Sequence, residues 1–228
     1  MNEQLLYPYH PKRIQALTQV DYQRRIEFCQ WSLQQIENQP EFWSNVLFTD
    51  EATFRRDGFT NIHNHHIWAD QNPNAAIVKH HQEQFSANIW CGIVGDHLIG
   101  PYLLPPRLNG QIYEAFLVET LPGLLEDVEL HIRGQMWFQQ DGAPPHFSGN
   151  VVEHLNNRYP GRWIGRGGAI NWPARSPDLT PLDFFLWGHI KTLVYETAVH
   201  TQEDMVARII AACDAVRGMP NVFTRVRQ

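Results

Sequence analysis

Apolar residues recur along this chain in two rhythms, and each change of rhythm marks a new element. Val20, Tyr22, Ile26, Phe28, Trp31, Leu33 and Ile36 follow one another at roughly helical spacing. They predict a helix over residues 18–38, ended ahead of Pro40 because a residue before proline avoids the helical conformation. Val46-Leu47-Phe48-Thr49, continued by Ala52-Thr53-Phe54, is short, apolar and rich in strand-forming side chains, so it predicts a central strand. Gly58 marks a turn, and the alternation of His63, His65 and Ile67 predicts a strand over 62–68 that pairs back as a hairpin. Two further runs, Ser86 to Val94 and His97 to Leu104, flank Gly95-Asp96. A short glycine-containing turn between apolar runs predicts a second hairpin.

Further along, Ile112, Phe116, Leu117, Leu121, Leu124 and Leu125 predict a helix over 110–127, kinked or restarted at Pro122. Met136-Trp137-Phe138 predicts a fourth strand and Trp163-Ile164 a short fifth. Between them Val151, Val152, Leu155 and Tyr159 predict a helix after the Pro144-Pro145 turn. The stretch Gly165-Arg166-Gly167-Gly168 is loop, and helices are predicted over 181–197 and 202–217. Strands first, then helix alternating with strand, define an α/β class: a mixed sheet with helices on its faces. Residues 1–17, with Pro8 and Pro11, read as a connecting segment. Residues 1–40 then form a linker and N-terminal helical arm, and 41–228 a core.

Composition narrows the picture. A length of 228 residues with 43% hydrophobic content supports one domain with a real core. No apolar run reaches the roughly 18 residues of a membrane helix, and Met1-Asn2-Glu3-Gln4 does not begin a signal peptide, so an intracellular protein is expected. Cys29, Cys91 and Cys213 are few, far apart and without a C-x-x-C pair. They read as buried thiols rather than a disulfide framework or zinc knuckle. The density of His63, His65, His66, His80 and His81 raises zinc as a possibility, but lacks ligand spacing; exposed strand and loop histidines are the better reading.

Three acids carry the chemistry. Asp50 and Asp141 each close an apolar strand-like run, and Asp183 opens an apolar helix. Each has a structural alternative. Asp50 suits a strand-end turn, and Asp141-Gly142 is a common turn pair. Thr180, Pro181 and Asp183 have the spacing of a helix cap. Taken together, strand ends and a helix start in one mixed sheet can gather three carboxylates, whose mutual repulsion calls for a cation. Mg²⁺ suits such hard oxygen ligands, and a two-ion site of this kind supports phosphodiester chemistry.

The segments Thr49-Asp50-Glu51, Gln140-Asp141-Gly142-Ala143-Pro144-Pro145-His146 and Ser176-Pro177-Asp178-Leu179-Thr180-Pro181-Leu182-Asp183-Phe184-Phe185-Leu186-Trp187-Gly188 resemble the three signature blocks of Tc1/mariner-type DDE/D transposases. The resemblance spans roughly residues 12–227. It implies an RNase H-like core with a five-stranded mixed sheet, acting in the nucleus on double-stranded DNA, both transposon ends and target, or lying in the cytoplasm if inactive, with a homodimer possible. It also implies that Asp50, Asp141 and Asp183 hold two Mg²⁺ or Mn²⁺ ions, Asp50 bridging them. Alignment within the third block gives the ligand role to Asp183 and leaves Asp178 as loop support. The 41 residues between Asp141 and Asp183 exceed the interval of the best-known branches, and the Gly161 to Gly168 loop is the natural place for the insert. Against the family pattern, the chain lacks room before Asp50 for paired helix-turn-helix modules and stops at Arg225-Val226-Arg227-Gln228, so a core fragment, a degraded copy or a co-opted gene is expected.

The formal charge of −6 requires a local basic strip for any DNA contact. Arg158, Arg162, Arg166 and Arg175, which surround the insert, are candidates, with Arg55 and Arg56 after the first acid. Trp163 and Trp172 are available to stack on a base, and His146 is a candidate for supporting substrate phosphate. Two rival readings are a co-opted, non-catalytic DNA-binding or interaction module, and an RNase H-like nuclease acting on RNA–DNA hybrids.

Overall fold

Strand β1 (Val46–Arg55) is the axis of the molecule in the computed structural model, which describes residues 16–56, 58 and 85–227. β1 pairs antiparallel with β2 (Ser86–Val94), and β2 antiparallel with β3 (His97–Leu104). On its other side β1 pairs parallel with β4 (Trp137–Gln139), which pairs parallel with β5 (Trp163–Ile164). The result is one five-stranded mixed sheet in the order β3-β2-β1-β4-β5. The expected strand at 62–68 and the five clustered histidines lie outside the described residues.

Alternation along β1 sorts its side chains between two cores. Val46, Phe48, Ala52 and Phe54 join one cluster, and Leu47 joins the other. The first face is covered by α6 (Trp187–Val194) and α7 (Gln202–Arg217), through Ile190, Val194, Met205 and Ile209, and by Phe223 of α8 (Val222–Val226). The second is covered by α2 (Gly110–Ala115) and α5 (Gly149–Arg158), through Tyr113, Val151 and Leu155. Burying one such large apolar side chain stabilises the fold by about 1.5–3 kcal/mol, so the two faces together fix the sheet between helical layers.

The helix expected over 110–127 is broken into pieces for a local reason. Pro122 has no N–H to donate, and a π turn at Phe116–Thr120 precedes α3 (Leu121–Leu124), with the Leu121 amide bonding back to Phe116. A widened turn of this kind absorbs the interruption without ending the helical path. The short α4 (Leu130–Gln135) and α8 have too few residues for periodicity to signal them.

α1 (Gln19–Asn38) begins on a capping box: the Thr18 hydroxyl and the Asp21 carboxylate bond each other's ends of the first turn. Most of its apolar residues do not face the core as their spacing suggested; Phe28 and Trp31 do. Tyr22, Ile26 and Leu33 are more than half exposed, whereas Asp21 and Phe28 are the buried positions. Phe28 packs against Trp172 with ring centroids 5.1 Å apart, and Trp31 and Trp43 pack around it. Two ion pairs fasten α1 to the loop ahead of α6, Arg175 to Asp21 and Arg25 to Asp178. Of the cysteines expected to be buried, Cys91 and Cys213 are, and Cys29 is exposed.

Candidate active site

The parallel pairing of β1 and β4 is what brings the first two acids together. Phe48 sits opposite Gln139 in the register, so Asp50 and Asp141 each lie two residues further along neighbouring strands. Gln139 locks this junction: its side chain accepts from the Thr49 amide at 3.3 Å, and its carbonyl accepts from the Thr49 hydroxyl at 2.7 Å.

Asp183 reaches the same place from the opposite layer. It lies in a π turn, Leu182–Leu186, that opens directly into α6. The alternative capping box does not form: the Thr180 hydroxyl accepts from the Leu182 amide at 3.4 Å, but no bond returns from the Asp183 carboxylate to the Thr180 amide among the described residues. Asp183 is left with no hydrogen bond among the described residues and faces a cavity of about 1170 Å³ that Asp50 and Asp141 also line. Asp178 does not line that cavity, and its carboxylate is taken up by Arg25.

Electrostatics links the three carboxylates in pairs. Burial, reinforced by the negative charge of Asp183, pushes Asp50 up to about 7, against the pull of the Trp187 indole, which donates to its Oδ2 at 2.7 Å. Burial and the charge of Asp141 raise Asp183. Asp141 shifts the other way: burial alone would raise it, but the bond from His146 and that ring's charge hold it below the usual carboxylate range. His146 itself is raised to about 10, burial being outweighed by Asp141 and Glu51.

Among the described residues, no three histidine, cysteine or acidic side chains converge closely enough to hold a metal ion as they stand. The donor set nevertheless suits a hard divalent cation: all three groups are carboxylates on one cavity, and two of them are held above their ordinary range by crowding and burial that a cation would relieve.

The basic candidates divide. Arg166 lines the cavity with its guanidinium 4.3 Å from the centre of the Phe147 ring. Arg175 also lines it, in a left-handed backbone conformation (φ 57°), while paired with buried Asp21. Arg162 is spent on structure, donating to the carbonyls of Gly134 and Met136 at 2.9 and 3.2 Å. Arg158 lies over the Tyr159 ring, outside the cavity lining. His146 is only 2% exposed and faces Asp141 and Glu51 rather than a surface that phosphate could reach. Trp163 is fully buried, so of the two tryptophans only Trp172 lines the cavity.

Several contributors escaped sequence reasoning. Trp187 and Glu51 enter the sequence reading only as parts of motifs, and Arg24 of α1 does not enter it as part of the cavity wall. Only Trp187 carried a usable signal, since it lies one helical turn after Asp183 and so on the same side of the helix.

Fold and site define a five-stranded mixed sheet flanked by helices that brings three carboxylates to one cavity. No protein-family profile matches the chain. Over 91% of its length it is 25% identical to the Tcb1 transposase of Caenorhabditis briggsae, and over 75% it is 25% identical to the Tc3 transposase of Caenorhabditis elegans. The Mos1 transposase paired-end complex with left transposon end superposes with a TM-score of 0.74 at 17% identity, covering 98% of this chain and 65% of that one. The Mos1 transposase catalytic domain with raltegravir and Mn superposes with a TM-score of 0.66 at 18% identity, covering 93% and 94%. In sequence the chain is thus similar to two transposable-element transposases. It spans 72% of the Tcb1 protein, 47% of the Tc3 protein and 65% of the chain in the Mos1 paired-end complex.

Proposed function

We propose that this chain is a transposase core that cleaves DNA strands and joins them to new DNA through Asp50, Asp141 and Asp183, with two Mg²⁺ or Mn²⁺ ions held by those carboxylates. The single observation that carries the reading is the arrival of three acids from β1, from the end of β4 and from the turn before α6 on one cavity, with their ionisations coupled pairwise. Solved Mos1 complexes with Mn and with Mg support the choice of ion. When bound, such ions supply an activated water or 3′-hydroxyl and stabilise the leaving oxygen of an in-line displacement.

The chain's own residues do the rest. Asp50, whose Oδ2 accepts from the Trp187 indole, lines the cavity from β1. Asp141 presents one oxygen while the other is tied to the Ala143 amide and to His146. Asp183, free of hydrogen bonds to its own turn, completes the set from the facing layer. Arg166 and Arg24 on the cavity wall are placed to meet phosphate oxygens of duplex DNA, and the nucleus is the compartment where such a substrate lies.

The test is nicking of supercoiled plasmid by the purified chain with Mn²⁺, beside Asp141→Asn. Metal-dependent nicking lost in the variant is expected. Nicking that survives the substitution overturns the site assignment, and its absence from the wild-type chain leaves the non-catalytic DNA-binding reading.

A further inference from the structure

We infer that His146 is a positioning residue that clamps Glu51 to Asp141 beneath the cavity and thereby sets how Asp141 presents itself beside Asp50. The inference rests on the functional reading above. Asp50 and Glu51 are consecutive on β1, so their side chains leave the sheet on opposite faces. Asp50 turns toward α6 and Trp187. Glu51 turns toward the other layer, where its Oε2 lies 3.2 Å from Nε2 of His146, an ion-pair contact without hydrogen-bond geometry. The second ring nitrogen, Nδ1, lies 2.6 Å from Oδ1 of Asp141. One imidazole therefore spans from the residue beside the first acid to the second acid.

The clamp is built to hold its shape. The ring is 2% exposed and packs on fully buried Tyr113, centroids 4.3 Å apart. It projects from a 3₁₀ turn, Pro144–Phe147, whose two prolines limit backbone freedom. The backbone carbonyl of His146 accepts from the Gln140 side chain at 2.9 Å, closing the segment on itself. Because Oδ1 of Asp141 is already engaged by His146 and by the Ala143 amide at 2.9 Å, Oδ2 is the oxygen left for a ligand. Removing the ring frees the carboxylate to rotate and loses that choice. Partners that orient a metal-binding carboxylate or imidazole typically govern about 10–100-fold in metal affinity.

The experiment is a Mn²⁺ titration of the metal-free chain, followed by the loss of the free-ion electron paramagnetic resonance signal, for wild type, Asp141→Asn, His146→Ala and Glu51→Ala. Each protein is also melted in chelator. Wild type is expected to bind, and Asp141→Asn to bind far less. His146→Ala and Glu51→Ala are each expected to bind about tenfold or more weakly while melting cooperatively. A purely structural role moves the melting temperature and leaves Mn²⁺ affinity alone. If either clamp variant melts cooperatively and binds like wild type, the clamp is overturned while the functional reading stands. If wild type binds no Mn²⁺, the functional reading falls and this inference with it. Should His146→Ala fail to fold, Glu51→Ala, which leaves the ring in place, decides alone.

Discussion

The indole Nε1 of Trp187 donates a hydrogen bond to Oδ2 of Asp50 at 2.7 Å, joining residues 137 positions apart in sequence. Trp187 follows Asp183 by one helical turn, so the same helix that delivers the third acid also orients the first. That bond opposes the burial and like charge that raise Asp50. Trp187→Phe keeps the ring packing against Phe54 and deletes the donor, so Asp50 should become harder to ionise. The pH–rate profile for Mn²⁺-dependent nicking is expected to move to higher pH, with the rate near neutrality falling about tenfold, as for loss of roughly 1–2 kcal/mol of charge-assisted hydrogen bonding. An unmoved profile would show that the bond is incidental.

Stability should respond to pH and metal together. The folded-state value of Asp50, about 7, lies above its ordinary 3.8. Its contribution to stability is therefore fully present below about pH 4 and is lost as pH rises through 7, because the folded state gives up its proton less readily. Without metal, wild type should lose more stability between pH 4 and 7 than Asp50→Asn. Millimolar Mg²⁺ should then raise the melting temperature more at pH 8 than at pH 5, by at least about 2–4 °C, the equivalent of roughly 1 kcal/mol for a chain of this size. Equal stabilisation at the two pH values would disprove the link between Asp50 ionisation and cation binding.

The arginines should separate by assay. Arg166 lines the cavity and Arg162 is committed to two backbone carbonyls. Arg166→Ala is expected to weaken binding to duplex DNA and to lower the salt dependence of that binding by about one ion. Arg162→Ala is expected to lower the melting temperature, leaving the salt slope unchanged. Fluorescence anisotropy at several salt concentrations reads the first, and thermal unfolding the second. A reversed pattern would remove Arg166 from the DNA-facing surface.

The start of α1 should matter beyond its own turn. Thr18 bonds the Asp21 carboxylate through its amide at 2.7 Å and its hydroxyl at 2.6 Å, and Asp21 in turn pairs with Arg175 on the loop leading to Asp183. Thr18→Ala should cost about 1 kcal/mol, seen as a fall of about 2–4 °C in melting temperature. Proteolysis should cut first within residues 171–178 in the variant. A variant that melts and is cut like wild type would show that α1 is not held by its cap.

How much was legible follows from where the information resides. The runs at β1, β2 and β3, the short β4 and β5, and helices α5 and α7 announced themselves because periodicity and turn residues act over a few neighbours. α1 was legible as a helix but not in its orientation. Its exposed Tyr22, Ile26 and Leu33 carry most of the apolar signal, while the buried side contains Asp21, whose partner Arg175 is 154 residues away. The ring of His146 could not be placed by reading along the chain either. A histidine after two prolines suits a surface turn, and only the packing of Tyr113 and the nearby Glu51 make it a buried bridge.

The sequence by itself determined the order of β1 to β5 and the mixed α/β class, and it named Asp50, Asp141 and Asp183 as candidates, because these depend on residue type and local spacing. Tertiary structure alone decided that Asp183 returns no capping bond to Thr180, that Trp187 bonds Asp50 and His146 bonds Asp141, and that only Arg166 and Arg175 of the candidate arginines line the cavity. Those outcomes depend on which strands lie parallel and which face each helix covers. They arise from contacts between residues distant in sequence, whose energies no local pattern encodes.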